Sequence, residues 1–221
     1  MKTLIKLFVV IFLICRTASA QTDVLIDPRD GKEYKTVQID SQIWMAENLK
    51  YADTISSLFS PHIKEQHFFR TPKDYQTNPN FTTPFIYYYA DLPYFGSKYG
   101  MLYNWEAAKN ACPAGWHLPS QQEFEQLILI VGKGDKIKAK KELLLEGDSG
   151  FEALLAGYLI SDYEDSYRDN SRFAGLDNAA SFWSSTEKNK HHAYSMDIFS
   201  KYVHIMSNRK SDAVSIRCIK N

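Results

Sequence analysis

Two cysteines, Cys112 and Cys218, remain in this 221-residue chain once its first twenty residues are set aside. Cys112 ends an apolar stripe that begins at Leu102 and follows helical spacing, so we predict that it lies on the buried side of a helix. Cys218 shares one face of the predicted last strand with Ile216. Because both faces point toward the same interior, the sequence predicts a disulfide that ties the helix to the strand across about 100 residues.

Two other roles are open to Cys112. A nucleophilic thiol needs a nearby base, and His117 and His204 are the candidates. A cysteine that holds structural zinc usually belongs to a C-x-x-C motif, which the sequence lacks. A disulfide-bonded cysteine has no thiolate to offer for either role, so the pairing state of Cys112 separates an enzyme from a stapled scaffold.

The start of the chain predicts the compartment. Two early lysines, an apolar run over residues 7–15 and small residues at 18–20 are typical of a secretory signal that is cleaved, here after Ala20. The apolar run is shorter than the roughly 20 residues that a membrane-spanning helix needs, and we expect no transmembrane segment in the mature chain. Ile14 stands before Cys15, where a lipoprotein signal would have a small residue, so lipidation is not favoured.

Charge and composition indicate the class of ligand and the domain layout. Residues 1–20 contain three of the 26 basic residues and none of the 26 acidic ones, so the remainder carries a net charge of −3. Such a chain lacks the basic footprint of a nucleic-acid-binding protein. We expect a lead-in over residues 21–29 and one domain over residues 30–221. Residues 52–98 hold five of the eight prolines and no sustained helical period, which predicts an insertion in that domain.

Local patterns predict strands at both ends of the chain and helices between them. Alternation after Glu33 predicts a strand, and Asp40 with Ser41 can form the turn into a second strand. Ser120 and Glu123 fit a capping box at the start of an amphipathic helix. Three further strands are predicted after residue 180. This order of elements indicates an α+β fold.

Six stretches of the sequence together resemble a known family. They are GKEYKTVQIDSQIWMAENL, YGMLYNWEAA, CPAGWHLPSQQEFEQL, FEALLAGY, FWSSTE and SIRCIKN, in that order. The family is the Fibrobacter succinogenes major paralogous domain of secreted and surface bacterial proteins, and the resemblance covers roughly residues 30–221. It implies a C-type-lectin-like fold, with two helices packed on a twisted antiparallel sheet with long loops, and a disulfide that Cys112 and Cys218 match. It implies no particular activity.

The candidate ligand-binding residues are aromatic. Four of them, Tyr87, Tyr88, Tyr89 and Tyr94, lie in the insertion, and the fifth is Trp183 in the FWSSTE stretch. A tyrosine combines an apolar ring with a polar tip, which suits stacking on sugars or peptides. The alternative for each of these side chains is packing in the core.

Motifs for catalysis and metal binding are missing from the sequence. It has no G-x-S-x-G, phosphate-binding loop or dinucleotide fingerprint, and the acidic residues 162–170 lack EF-hand spacing. We therefore expect no metal and no cofactor. The sequence predicts a secreted or surface-exposed, non-catalytic binding module whose ligand is a carbohydrate or a protein. The alternatives are a glycan-active hydrolase built on the insertion and the acidic segment, and a structural component of the cell envelope.

Overall fold

The structure is a computed structural model. It describes residues 22–52, 84–161, 173–199 and 201–221. The predicted signal peptide, the part of the predicted insertion between residues 53 and 83, and the acidic residues 162–170 lie outside these ranges.

A five-stranded antiparallel sheet, called the first sheet, joins the two ends of the described chain. Its strands are β1 (Thr22–Ile26), β2 (Glu33–Ile39), β3 (Gln42–Met45), β6 (Trp116–His117) and β12 (Ile219–Lys220), in the order β1-β2-β3-β12-β6. The turn between β2 and β3 is the predicted one, because Asp40 adopts a left-handed conformation with φ of 55°.

The second sheet also has five strands. They are β7 (Ala156–Leu159), β8 (Phe173–Leu176), β9 (Ala180–Glu187), β10 (His192–Phe199) and β11 (Tyr202–Arg209), in the order β11-β10-β9-β7-β8. All neighbours are antiparallel except β7 and β9. A small third pair joins β4 (Ile86–Tyr87) to β5 (Leu102–Tyr103).

The helices are short. They are α1 (Pro93–Tyr99), α2 (Trp105–Ala108), α3 (Gln121–Gly132) and α4 (Lys136–Leu143), with a 3-10 turn at Tyr89–Asp91. The predicted capping box of α3 is confirmed, since the Ser120 side chain accepts from the Glu123 backbone N–H and the Glu123 carboxylate accepts from the Ser120 backbone N–H. Partial burial on its own would raise the pKa of the Glu123 carboxyl. Its hydrogen bonds with Ser120 and His117 outweigh that effect, so the pKa of Glu123 is lowered.

The predicted fold class is wrong. The part of the chain that the structure describes is mostly β, with two curled half-barrel sheets of five strands and four short helices, rather than two helices on one antiparallel sheet. The first predicted helix shrinks to the four residues of α2, because Leu102 belongs to β5 and Cys112 lies in the turns that follow Ala108. The apolar residues that had the spacing of one helical face are therefore divided among a strand, a helical turn and a loop.

Two clusters of buried side chains hold these elements together. The first cluster fills the space between α3, α4 and both sheets, where the Trp44 ring stacks on Phe124 and meets Phe151 edge-on. The second cluster surrounds Cys218 and includes Trp183. Both sheets contribute to both clusters, so neither sheet has a face that is wholly solvated.

Candidate binding site

The predicted disulfide is present between Cys112 and Cys218, which are 106 residues apart in sequence. Cys218 is fully buried in the second cluster, directly before β12, and Cys112 packs against the same cluster. A cysteine whose sulfur is in a disulfide has no free thiolate to act as a nucleophile or as a metal ligand. The bond therefore removes Cys112 from catalysis and makes it a structural link.

The predicted tyrosines divide into two groups. Tyr87 is buried on β4 in a small apolar cluster with Leu102, whereas Tyr94 on α1 is 67 % exposed. Tyr89 and Tyr94 both contact the ring of Phe95, at centroid distances of 5.6 and 5.5 Å. The structure thus brings Tyr89 and Tyr94 to one aromatic surface, and Tyr89 also packs against the small cluster in which Tyr87 is buried.

The side chains of Tyr88 and Trp183 pack against other residues rather than project into solvent. The ring of Tyr88 lies so close to Gly96 that a side chain there would collide with it. Trp183 is fully buried, and its indole Nε1 donates to the carbonyl of Tyr103 at 2.7 Å. A ligand in solvent has no access to this indole, so Trp183 does not belong to the aromatic surface.

A cleft on one face of the first sheet is lined by both apolar and polar side chains. Its volume is about 250 Å³. The lining residues are Asp23, Val24, Leu25, Ile26, Thr36, Gln38, Ile43, Trp116 and Lys220. These residues come from β1, β2, β3, β6 and β12, so every strand of the sheet contributes to it.

Strand register explains why these side chains converge. Gln38 lies opposite Ile43, and Lys220 lies opposite Trp116. Residues that face each other across antiparallel strands point to the same side of the sheet. Because Trp44 is opposite Ile219, the preceding Ile43 comes opposite Lys220 and completes one row across four strands.

The chemistry of the cleft is mixed. Trp116 is half-buried and offers an aromatic surface, while Gln38, Lys220 and Asp23 are exposed and carry an amide, an ammonium and a carboxylate. Thr36 is buried beside them with a hydroxyl. These groups both donate and accept hydrogen bonds, so the cleft matches a ligand with an apolar face and several polar groups around it.

Sequence reasoning missed the cleft. No local pattern connects Trp116 with Lys220, which is 104 positions away in the chain. Only the pairing of β6 with β12 brings them together. No signal in the sequence indicates that pairing, apart from the disulfide that joins the chain near both strands.

A buried polar row crosses the second sheet. Ser181 lies opposite Asp197 on β10, and His204 lies opposite Asp197 on β11. Burial raises the pKa of Asp197, and hydrogen bonds from Ser181 and Ser195 oppose that shift. Both hydroxyls donate to the carboxylate, with Ser195 Oγ at 3.0 Å.

This row is not the arrangement of a serine hydrolase. A nucleophilic serine needs an imidazole between its hydroxyl and the carboxylate, so that the base can accept the hydroxyl proton. Here Asp197 occupies the middle position, between Ser181 and His204. The row therefore satisfies a buried carboxylate and offers no activated nucleophile.

Within the described ranges there is neither a metal-binding group nor a membrane-spanning helix. No group of three or more histidine, cysteine, aspartate or glutamate side chains is placed to hold a metal ion there. No helix in the same part of the chain is long and apolar enough to cross a membrane.

Comparison with known proteins identifies one related family. The family model for the Fibrobacter succinogenes major domain matches residues 37–220. No curated protein matches the chain, and no solved structure matches it. The matched range includes Gln38, Ile43, Trp116 and Lys220 of the cleft, and it begins after β1.

Proposed function

Since the chain belongs to the Fibrobacter succinogenes major domain family, we propose that it is a secreted, non-catalytic binding module that holds a carbohydrate in the cleft of the first sheet. The observation that carries this proposal is the half-buried Trp116 in one row with Gln38 and Lys220. Tyr89 and Tyr94 form a separate aromatic surface, and they are the second place where a sugar could stack.

A sugar ring complements this cleft. One face of the ring carries C–H groups that pack on an aromatic side chain, and its edge carries hydroxyls that donate and accept hydrogen bonds. Trp116 provides the aromatic surface for the C–H face, and Gln38, Thr36 and Lys220 provide the hydrogen-bonding groups for the hydroxyls. A volume of about 250 Å³ suits one small ring better than a drug-sized ligand, which typically fills roughly 300–1,000 Å³.

The composition of the cleft argues against glycoside hydrolysis. That reaction requires two carboxyl groups on either side of the scissile bond, one as an acid and one as a base or nucleophile. Among the described residues that line the cleft, Asp23 is the one carboxylate. The cleft therefore supports binding without turnover.

A protein ligand is the second candidate, and the edge of the first sheet favours it. β1 is the terminal strand of that sheet, and the side chains of Val24 and Ile26 are exposed on it. A terminal strand can accept an extended peptide as an additional strand. A module that binds extended peptides would then use β1 rather than Trp116.

Secretion is part of the proposal, supported by the signal-like residues 1–20 and by the disulfide. We expect the exported protein to begin at Gln21. Intact mass spectrometry of the protein from the culture medium and from the cell envelope measures this directly. A mass that retains residues 1–20 would contradict the prediction.

The cleft is tested by substitution of Trp116. We expect the mature protein to bind at least one member of a panel of neutral and acidic oligosaccharides. Trp116→Ala should weaken that binding at least about tenfold, or 1.4 kcal/mol, because the stacking contact is lost. Isothermal titration calorimetry measures both affinities.

Three control variants identify the site that is used. Gln38→Ala and Lys220→Ala alter exposed side chains in the same row, so they weaken binding without disturbing the core. Tyr94→Ala removes the exposed ring of the aromatic surface on α1 and should leave affinity unchanged. Loss of binding in Tyr94→Ala with wild-type affinity in Trp116→Ala would move the site to that surface. Binding of extended peptides alone would favour the β1 edge.

A further inference from the structure

The hairpin of α3 and α4 carries a dense group of lysines, here called the lysine cluster. Its members are Lys133, Lys136, Lys138 and Lys141. Within the described ranges, Lys133, Lys136, Lys138 and Lys141 form no ion pair, whereas Lys32, Lys50, Lys109 and Lys210 each pair with an acidic residue. The cluster is therefore a concentration of positive charge on a chain whose residues after Ala20 carry a net charge of −3.

The two acidic residues among these lysines are committed to the backbone. Asp135 caps α4 and accepts from the N–H groups of Ile137 and Lys138, at 2.7 and 3.2 Å. Glu142 accepts from the backbone N–H of Asp148 at 3.0 Å. Neither carboxylate forms an ion pair with a lysine of the cluster in the described structure.

Helix stability does not explain all of these lysines. Lys140 and Lys141 lie in the last turn of α4, where positive charge interacts favourably with the helix dipole. Lys136 and Lys138 lie in the first turn, where the same dipole opposes positive charge. The helix dipole therefore does not account for the lysines of the first turn.

Exposed aliphatic side chains accompany the cluster. Leu129 on α3 is 60 % exposed and Ile137 on α4 is 55 % exposed. In α4, Ile137 lies four residues before Lys141, so these two side chains share a helix face. Leu129 lies near the end of α3, four residues before Lys133, the left-handed residue that ends the helix. Gly132 packs closely against Ala139, so the two helices are in direct contact.

We propose that the α3–α4 hairpin docks on an anionic lipid surface, with the lysine cluster on the headgroups and Leu129 and Ile137 at the boundary of the acyl chains. Lysines surrounding exposed aliphatic side chains are the pattern of helices that lie in a membrane interface. A site for single-stranded nucleic acid would combine the lysines with aromatic side chains on which bases stack, and the apolar residues here are aliphatic. The inference does not depend on the cleft, because the two surfaces share no residue.

Vesicle sedimentation tests this docking. The probe is a phosphatidylcholine vesicle with or without phosphatidylglycerol, added to the mature protein at low and high salt. We expect binding only to the vesicles that contain phosphatidylglycerol, with loss of binding at high salt. The triple variant Lys136→Gln, Lys138→Gln, Lys141→Gln should lose at least about tenfold in partitioning.

Two matched control variants complete the experiment. Lys35→Gln, Lys190→Gln, Lys201→Gln makes the same change in net charge at exposed sites elsewhere and should bind like the wild type. Leu129→Ser with Ile137→Ser should weaken binding, while Val24→Ser with Ile26→Ser, which also removes exposed aliphatic groups, should not. All of the variants have exposed targets, and circular dichroism checks that each is folded.

Three results would overturn the proposal. One is the absence of binding to anionic vesicles at low salt. Another is equal binding by the cluster variant and its charge-matched control. The third is wild-type binding by the Leu129→Ser and Ile137→Ser variant together with full displacement by soluble polyphosphate, which would identify a polyanion rather than a lipid surface as the partner.

Discussion

Replacing both cysteines of the disulfide with alanine is expected to lower the free energy of unfolding by about 4 kcal/mol. The bond closes a loop of 106 residues, and its removal lets the unfolded chain explore many more conformations. The effect should be large relative to the total stability of a domain, which is typically about 5–15 kcal/mol. Alanine is chosen because serine would place a hydroxyl in the fully buried site of Cys218.

Urea unfolding of the mature wild type and of the double variant measures this difference. Wild-type protein that is kept reduced during unfolding serves as a control, since it loses the link without a substitution. Both should show similarly lowered midpoints. An unchanged midpoint in the double variant would mean that the bond does not restrict the unfolded chain.

Arg217→Met is expected to cost about 3 kcal/mol, because it leaves buried acceptors without a donor. Arg217 is fully buried, and its guanidinium donates to the carbonyls of Phe151 and Glu152 and to the side-chain oxygen of Asn48. Burial lowers the pKa of Arg217 to about 9, so the cation persists at neutral pH. Methionine keeps much of the length and loses every donor.

Asn48 extends the consequences of that substitution. Its amide donates to the carbonyl of Tyr99 at 2.8 Å, so one side chain connects Arg217 with the end of α1. Chemical denaturation of Arg217→Met, Asn48→Ala and the double variant measures the coupling between the two sites. Arg217→Lys retains the charge but not the planar fork, and it should fall between the wild type and Arg217→Met. A cost below about 1 kcal/mol for Arg217→Met would contradict this account.

Local features were predictable from sequence because neighbouring residues determine them. The turn at Asp40 and the cap at Ser120 depend on a few consecutive residues, and both predictions are confirmed. The disulfide was predictable for a different reason. Only two cysteines follow residue 20, and both lie at the second buried cluster even though the helix predicted to carry Cys112 ends at Ala108.

The arrangement of the sheets was not predictable in this way. The first sheet combines strands from both ends of the described chain. Strand β12, which lies between β3 and β6 in this sheet, is only two residues long. Two residues give no periodic signal, and their pairing depends on contacts that are distant in sequence. Nor does the local sequence distinguish the environments of Trp183 and Trp116, yet Trp183 is buried in the core and Trp116 lines the cleft.

The most direct test of the proposed function observes the indole N–H groups of all four tryptophans by heteronuclear NMR while the oligosaccharide panel is added. Trp44, Trp105 and Trp183 are buried, and their indoles donate to Gln42, Ser184 and Tyr103. Trp116→Phe identifies the remaining signal. We expect at least one oligosaccharide to shift the Trp116 signal and to leave the other three in place. No shift with any oligosaccharide, or shifts confined to the buried indoles, would contradict a sugar site in the cleft.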